Sequence, residues 1–154
     1  MTSVRKEFTH LGIGLIYRPT PHGNQYLVCQ LDNADVWTPF ISERLERESF
    51  RETVTREIAW QLDLDRDKDF VVSNMAVGSH EFVEKEFNVD HHVAIAFYRA
   101  RLFTEFSRNK IESNANCRWV SSKELCAGQL EDGQPFDSDF VDWVNRWSVI
   151  RPWE

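Results

Sequence analysis

Residues 49–62 constrain the fold most strongly, because they combine a helix start signal with a regular apolar stripe. Ser49 and Glu52 have the Ser-x-x-Glu spacing of a capping box, in which each side chain accepts a hydrogen bond from the other residue's backbone amide. The pattern predicts an amphipathic helix that begins near Phe50, ends near Asp63 and packs on a core. Its apolar stripe recurs at every fourth position, at Phe50, Val54, Ile58 and Leu62.

Apolar segments on both sides of this helix predict strands. Residues 11–17 and 25–31 flank a turn-forming cluster rich in Pro and Gly, which indicates a hairpin. Residues 32–40 then predict a loop. Residues 92–98 form a continuously apolar run, which is typical of a central strand buried on both faces. Further short strands are predicted at residues 70–77 and 118–120.

The last third of the chain predicts more helical structure. Residues 121–125 indicate a helical turn, and residues 137–147 indicate a helix with one apolar face formed by Phe140, Trp143, Val144 and Trp147. Mixed strands with a central and a C-terminal helix define an α/β (α+β) layered architecture. Since the 154 residues contain no internal repeat or low-complexity linker, we expect a single domain over residues 1–154.

Charge and cysteine content limit the classes of partner. Eighteen Lys and Arg residues against 25 Asp and Glu residues give a formal charge of −7, which argues against a broad nucleic-acid surface and against binding to an anionic membrane. Cys29, Cys117 and Cys126 have no CxxC spacing, so we expect reduced thiols rather than a disulfide framework or a zinc site. The first residues lack an apolar run typical of a signal or membrane segment, so we expect a cytoplasmic protein.

One face of the predicted helix carries candidate functional groups. At roughly 100° per residue, Glu57, Trp60 and Gln61 lie within about 100° of one another, beside the apolar stripe. Three carboxylates at these positions would form a nest for a divalent cation, because hard cations take several oxygen ligands. This face instead offers one carboxylate and one amide oxygen.

Residues 42–64 resemble the Nudix box, Gly-x5-Glu-x7-Arg-Glu-U-x-Glu-Glu-x-Gly-U, where U is a bulky apolar residue. Aligned without gaps, the sequence matches five of the nine defined positions: Glu48, Arg56, Glu57, Ile58 and Leu64. The remaining four positions hold Ser42 and Asp63 in place of glycine, and Trp60 and Gln61 in place of the glutamate pair. The segments that flank the box are also similar to the family, so the resemblance covers about residues 8–147.

The resemblance implies a Nudix-like α/β/α sandwich around a mixed β-sheet. Nudix enzymes hydrolyse a nucleoside diphosphate linked to another group, and their box glutamates hold Mg²⁺ or Mn²⁺. By position, Glu57 is the candidate metal ligand and, in an active enzyme, the candidate catalytic residue. Glu48 and Arg56 match the pair that usually braces the loop–helix–loop segment. Trp60 and Gln61 cannot act as carboxylate ligands.

Three functions follow from these features. We favour a Nudix-superfamily protein that lacks the standard hydrolase activity, has no bound cofactor and binds a nucleotide-like or phosphorylated ligand. The second function is a Mg²⁺- or Mn²⁺-dependent pyrophosphohydrolase with relocated metal ligands. The third is a non-catalytic interaction domain that binds a protein partner or a second copy, with Trp143, Trp147 and Trp153 as an apolar contact patch.

Candidate site residues lie on the helix face and in the loop before it. Trp60 either plugs the vacated metal site or packs there, which we favour, or stacks on a base or sugar. Arg44 either meets a phosphate or belongs to a solvated face of mixed charge. The candidate ligand-binding residues are Trp37, Phe40, Arg44, Trp60 and Gln61. Acids that could supply a relocated metal site are Glu84, Glu86, Glu105 and Glu112.

Overall fold

The structure, a computed structural model, describes residues 8–30 and 35–154. Within these ranges it contains seven strands and four helices. In chain order they are β1 (Phe8–Thr20), β2 (Gly23–Cys29), β3 (Phe40–Glu43), α1 (Phe50–Leu62), β4 (Phe70–Val72), β5 (Gly78–Glu86), β6 (Val89–Leu102), α2 (Glu105–Glu112), β7 (Cys117–Ser121), α3 (Ser122–Ala127) and α4 (Ser138–Trp147).

The strands form one mixed sheet with β1 and β6 at its centre. The order along the sheet is β4-β6-β1-β2-β7, with β3 also paired to β1 and β5 also paired to β6. β1 and β6 run parallel, and every other pair is antiparallel. The predicted hairpin is formed by β1 and β2, and the predicted central strand is the middle of β6.

Helices cover both faces of the sheet, which gives the predicted α/β/α layering. On one face, Val54, Ile58 and Leu62 of α1 pack into a core with residues of β1, β2 and β4. On the other face, Leu125 of α3 and Phe140 of α4 pack into a second core. This second core extends beyond the helices to Val149 and Ile150, which are both buried.

Two glycines of β1 allow α1 to approach the sheet closely. A Cβ atom added at Gly14 would lie 2.9 Å from Cγ1 of Val54, and one at Gly12 would lie 3.2 Å from the carbonyl oxygen of Phe50. Side chains at either position would push the helix away. The Gly12-Ile13-Gly14 segment therefore sets the distance between the helix face and the sheet.

The sequence predicted α1 more accurately than several of its neighbours. α1 begins at Phe50, and Ser49 and Glu52 form both hydrogen bonds of the capping box. The predicted strand over residues 70–77 ends at Val72, and β3, β5 and α2 were not predicted. The last residue of the predicted strand 25–31 and the first part of the predicted loop 32–40 lie outside the described residues.

None of the helices in the described ranges has the length and apolar character that crossing a membrane requires.

Candidate ligand-binding site

The loop before α1 is held to the helix by Glu48. The Arg56 guanidinium donates to both carboxylate oxygens of Glu48, from Nε to Oε2 at 2.8 Å and from Nη2 to Oε1 at 3.0 Å. The Thr53 hydroxyl donates to Oε1 at 2.7 Å, and the Leu45 amide does so at 3.1 Å. The Arg56 hydrogen bonds, supported by those from Thr53 and Leu45, lower the pKa of Glu48 to about 2.

Arg44 belongs to the same braced loop. Its Nη1 donates to the backbone carbonyl of Glu48 at 2.9 Å, and its Nη2 lies 3.4 Å from Nδ1 of His10. Its guanidinium also lies 5.5 Å from the centre of the Phe50 ring. These contacts hold the guanidinium against the loop before α1.

Asp63, which the sequence alignment places opposite a glycine, adopts the left-handed conformation at the end of α1, at φ 52° and ψ 55°. Asp is among the few residues with a side chain that adopt this conformation at moderate cost. The Leu64 amide then donates to the Ala59 carbonyl at 3.0 Å, and Lys110 Nζ donates to the Asp63 carbonyl at 2.7 Å. The chain therefore leaves α1 in a left-handed turn without glycine.

The donor groups near Glu57 do not fit a divalent metal site. Glu57 is half-buried, and burial raises the pKa of its carboxyl group, although a hydrogen bond to Ser42 opposes the shift. Within residues 8–30 and 35–154, no three His, Cys, Asp or Glu side chains are grouped so that they could hold a metal ion. A hard cation requires several oxygen ligands, and Glu57 supplies only one carboxylate.

The extra acids considered for a relocated site are dispersed. Glu84 and Glu86 lie on β5, whereas Glu105 and Glu112 lie at opposite ends of α2. Glu112 pairs with Arg18 at 3.2 Å. Among the described side chains, these acids belong to no group of three that could hold a metal ion.

A cleft of about 210 Å³ lies beside the C-terminal end of α1 and is called the α1 cleft below. It is formed where the last turn of α1, the end of β2 and the turn between α2 and β7 meet. The Gln30 amide donates to the Asn116 carbonyl at 2.9 Å, which joins two of these walls. The lining residues are Cys29, Gln30, Trp60, Gln61, Leu62, Asn114, Asn116 and Cys117.

The α1 cleft has an uncharged polar lining. None of its eight described lining residues is ionic, and four of them carry a side-chain amide. The Trp60 indole is 74% exposed beside these amides. The cleft therefore combines an accessible aromatic face with several hydrogen-bond donors and acceptors.

The structure brings together only part of the predicted ligand-binding set. Trp60 and Gln61 line the α1 cleft, whereas Trp37, Phe40 and Arg44 do not. Phe40 is fully buried in the core under α1. Trp37 is 5% exposed, and its Nε1 donates to Oε1 of Gln134 at 2.6 Å. Burial removes both aromatic residues from the candidate set.

The favoured interpretation of Trp60 as a plug or packed residue is wrong, because its side chain is mostly exposed. Sequence reasoning also missed the other walls of the α1 cleft, since Cys29 and Cys117 are 88 residues apart in the chain. The only local signal was the Asn114-x-Asn116 pattern, which forms a turn in which the Asn116 amide donates to Oδ1 of Asn114 at 2.9 Å.

Comparisons with known proteins agree on the fold. No family model matches the sequence, and no curated protein matches it. Among solved structures, an Ap4A hydrolase of C. elegans is 12% identical with a TM-score of 0.59, covering 92% of each chain. The Nudix hydrolase RenU of M. smegmatis is 14% identical with a TM-score of 0.58, covering 94% of this chain and 86% of its own.

NrtR of Shewanella oneidensis is a third similar structure, at 14% identity and a TM-score of 0.60. The match covers 90% of this chain and 61% of NrtR, so this chain spans less than two thirds of that protein. These likenesses define the class of the molecule: it has an α+β, Nudix-like fold. The predicted fold class is confirmed.

Proposed function

We propose that this protein is a member of the Nudix superfamily, with a degenerate box and a single domain over residues 1–154, that binds a nucleotide-like ligand without the standard metal-dependent hydrolysis. The observation that carries the proposal is the last turn of α1. There both Trp60 and Gln61 line the α1 cleft. The proposed alignment with the Nudix box places these two residues opposite its glutamate pair, so an aromatic ring and an amide would stand in place of two carboxylates.

The chemistry of the α1 cleft suits the base of a nucleotide better than its phosphates. Amide side chains can pair with the donor and acceptor groups on a base edge, and an exposed indole can stack on the ring. A phosphate would favour Arg or Lys, and the described lining contains neither. The volume of about 210 Å³ is smaller than the ~300–1,000 Å³ of typical ligand pockets, so it suits one part of a nucleotide.

The interaction-domain alternative loses its main support in the structure. The predicted apolar patch required Trp143, Trp147 and Trp153 on one surface. Trp143 and Trp147 instead pack against the core, and Trp147 stacks on His80 with ring centres 4.3 Å apart. Trp153 is the only one of the three that is largely exposed, at 78%.

Calorimetric titration of a nucleoside and its diphosphate into the protein, each with and without Mg²⁺, tests the proposal. We expect both ligands to bind, with affinities that differ little and do not depend on Mg²⁺, because the cleft lining contacts the base. Trp60→Ala should weaken binding by about 5- to 150-fold, since base–aromatic stacking contributes about 1–3 kcal/mol. Trp153→Ala removes a similarly exposed indole that does not line the cleft, and should leave the affinity unchanged.

The same samples distinguish the alternatives. Lack of binding by every nucleoside and nucleotide would refute the proposal. Mg²⁺-dependent cleavage of a nucleoside diphosphate compound that disappears in Glu57→Gln would establish the enzyme with relocated ligands instead. Binding that requires the diphosphate and is unaffected by Trp60→Ala would move the ligand site away from the α1 cleft.

A further inference from the structure

Cys29 and Cys117 face each other across the antiparallel pair of β2 and β7. The backbone groups of Cys29 are bonded on the opposite side of its strand, to Thr38, at 2.8 Å from the amide and 2.9 Å from the carbonyl. The next pair in the register is joined by the Gln30 amide and the Asn116 carbonyl. Because bonded and non-bonded pairs alternate along an antiparallel ladder, Cys29 and Cys117 form a non-hydrogen-bonded pair.

This position brings the two thiols close enough for a disulfide. Residues of a non-hydrogen-bonded pair have Cα atoms about 4.5 Å apart, within the ~4.4–6.8 Å range of disulfide-bonded cysteines. The two Sγ atoms lie 3.1 Å apart and share a hydrogen bond, and neither thiol is in a disulfide. Bond formation therefore requires the sulfur atoms to approach by about 1 Å while the strands keep their register.

The two thiols differ in access and in acidity. Both line the α1 cleft, but Cys29 is 3% exposed whereas Cys117 is half-buried. The hydrogen bond between them raises the pKa of Cys29, which burial raises further, and lowers the pKa of Cys117. Cys117 is the more accessible thiol and the one whose pKa is lowered, so it is the reactive partner, because the accessible thiolate is the nucleophile in thiol oxidation.

We infer that Cys29 and Cys117 form a reversible oxidation site, in which a hydroperoxide that enters the α1 cleft converts the two thiols into a disulfide between β2 and β7. Cys117 is the attacking residue and Cys29 the resolving residue. Neighbouring thiols with one accessible member are the arrangement in which a sulfenic acid is converted to a disulfide. This site does not depend on the ligand proposed for the cleft.

The reaction has two balanced steps. The Cys117 thiolate attacks one oxygen of hydrogen peroxide, forming an S–O bond and breaking the O–O bond, and the leaving hydroxide takes a proton to become water. The Cys29 sulfur then attacks the Cys117 sulfur, forming the S–S bond and breaking the S–O bond, while the Cys29 proton and the departing hydroxide leave as water. The two thiols lose two electrons, and the peroxide gains them.

The test is brief treatment of the reduced, folded full-length chain with a small excess of hydrogen peroxide, followed by alkylation and mass spectrometry. Of the three free thiols, only Cys126 should remain alkylatable, and peptide mapping should join the segments that contain Cys29 and Cys117. Dithiothreitol should restore all three thiols. Cys126 is the internal control, because its Sγ donates to the Ile150 carbonyl at 3.2 Å rather than facing a second sulfur.

Two substitutions identify the roles of the thiols. Cys29→Ser should leave a sulfenic acid on Cys117 that a dimedone probe traps, and Cys126→Ser should form the same disulfide as the unmodified chain. The inference would be overturned if all three thiols remained alkylatable after peroxide treatment. A disulfide that includes Cys126, or the formation of cross-linked dimers, would also overturn it. These outcomes are read from the unsubstituted chain, so they hold even if Cys29→Ser does not fold.

Discussion

At the scale of single residues, the carboxylate of Glu48 accepts hydrogen bonds from Leu45, Thr53 and Arg56, and so ties the loop before α1 to the helix. Glu48→Gln keeps the shape of the side chain but weakens its hydrogen bonds with Arg56. Because hydrogen bonds to charged groups contribute about 1.5–3 kcal/mol, we expect the free energy of unfolding at neutral pH to fall by about 1–3 kcal/mol. Urea unfolding measures this loss. Glu112→Gln, which removes an exposed ion pair with Arg18, should change stability by less than about 1 kcal/mol.

The same carboxylate predicts a pH dependence with a defined sign. The pKa of Glu48 is about 2 in the folded protein and near its ordinary 4.5 when unfolded. A lowered folded pKa means that the stabilisation is complete above the unfolded pKa and is lost as the pH falls through the folded pKa. The unmodified protein should therefore lose more stability than Glu48→Gln between about pH 4.5 and pH 2. Parallel losses in the two proteins would show that Glu48 is not braced in solution.

At the scale of secondary structure elements, the close approach of α1 to β1 predicts a packing effect at glycine. An alanine at Gly14 would place its Cβ 2.9 Å from Val54, inside a packed core, so Gly14→Ala should lower the free energy of unfolding by about 1–3 kcal/mol. At Gly78 the nearest atom to an added Cβ is Nε2 of the half-buried His80 ring, also at 2.9 Å, so relief requires only that this one side chain shift and lose part of its stacking on Trp147. Gly78→Ala is therefore the matched control, and an equal loss in both variants would contradict this account.

The elements that the sequence predicted are those whose signals are local. α1 has its capping box and its four-residue apolar repeat within its own segment, and the predicted start at Phe50 was confirmed. β5 has no alternating apolar pattern, because its two central apolar residues, Phe82 and Val83, are adjacent. It is a strand because β6 pairs with it along its full length, from Gly78 to Glu86. That pairing is a tertiary effect that local patterns do not contain.

The candidate site shows the same limit. Trp60 and Gln61 were predicted as ligand-binding residues from their position on one helix face, and both line the α1 cleft, so its α1 wall was predictable. The opposite wall depends on the pairing of β2 with β7, which brings residues from distant parts of the chain together. The burial of Trp37 and Phe40 likewise depends on how the loop before α1 packs, and an aromatic residue in a loop does not reveal it.

At the scale of the whole molecule, a disulfide between Cys29 and Cys117 would link residues 88 positions apart. A cross-link restricts the unfolded chain, and closing a loop of this length is expected to stabilise the protein by about 4–5 kcal/mol in the chain-entropy description. Urea unfolding of the oxidised and reduced proteins should therefore show a higher midpoint after oxidation, with dithiothreitol reversing the change.

Alkylation controls separate cross-linking from simple modification of a thiol. Blocking Cys117 of the reduced protein with a small alkylating reagent before peroxide treatment should prevent the gain in stability, whereas Cys126→Ser should preserve it. If oxidation produces the Cys29–Cys117 bond but lowers the unfolding midpoint, strain in the folded sheet outweighs the restriction of the unfolded chain.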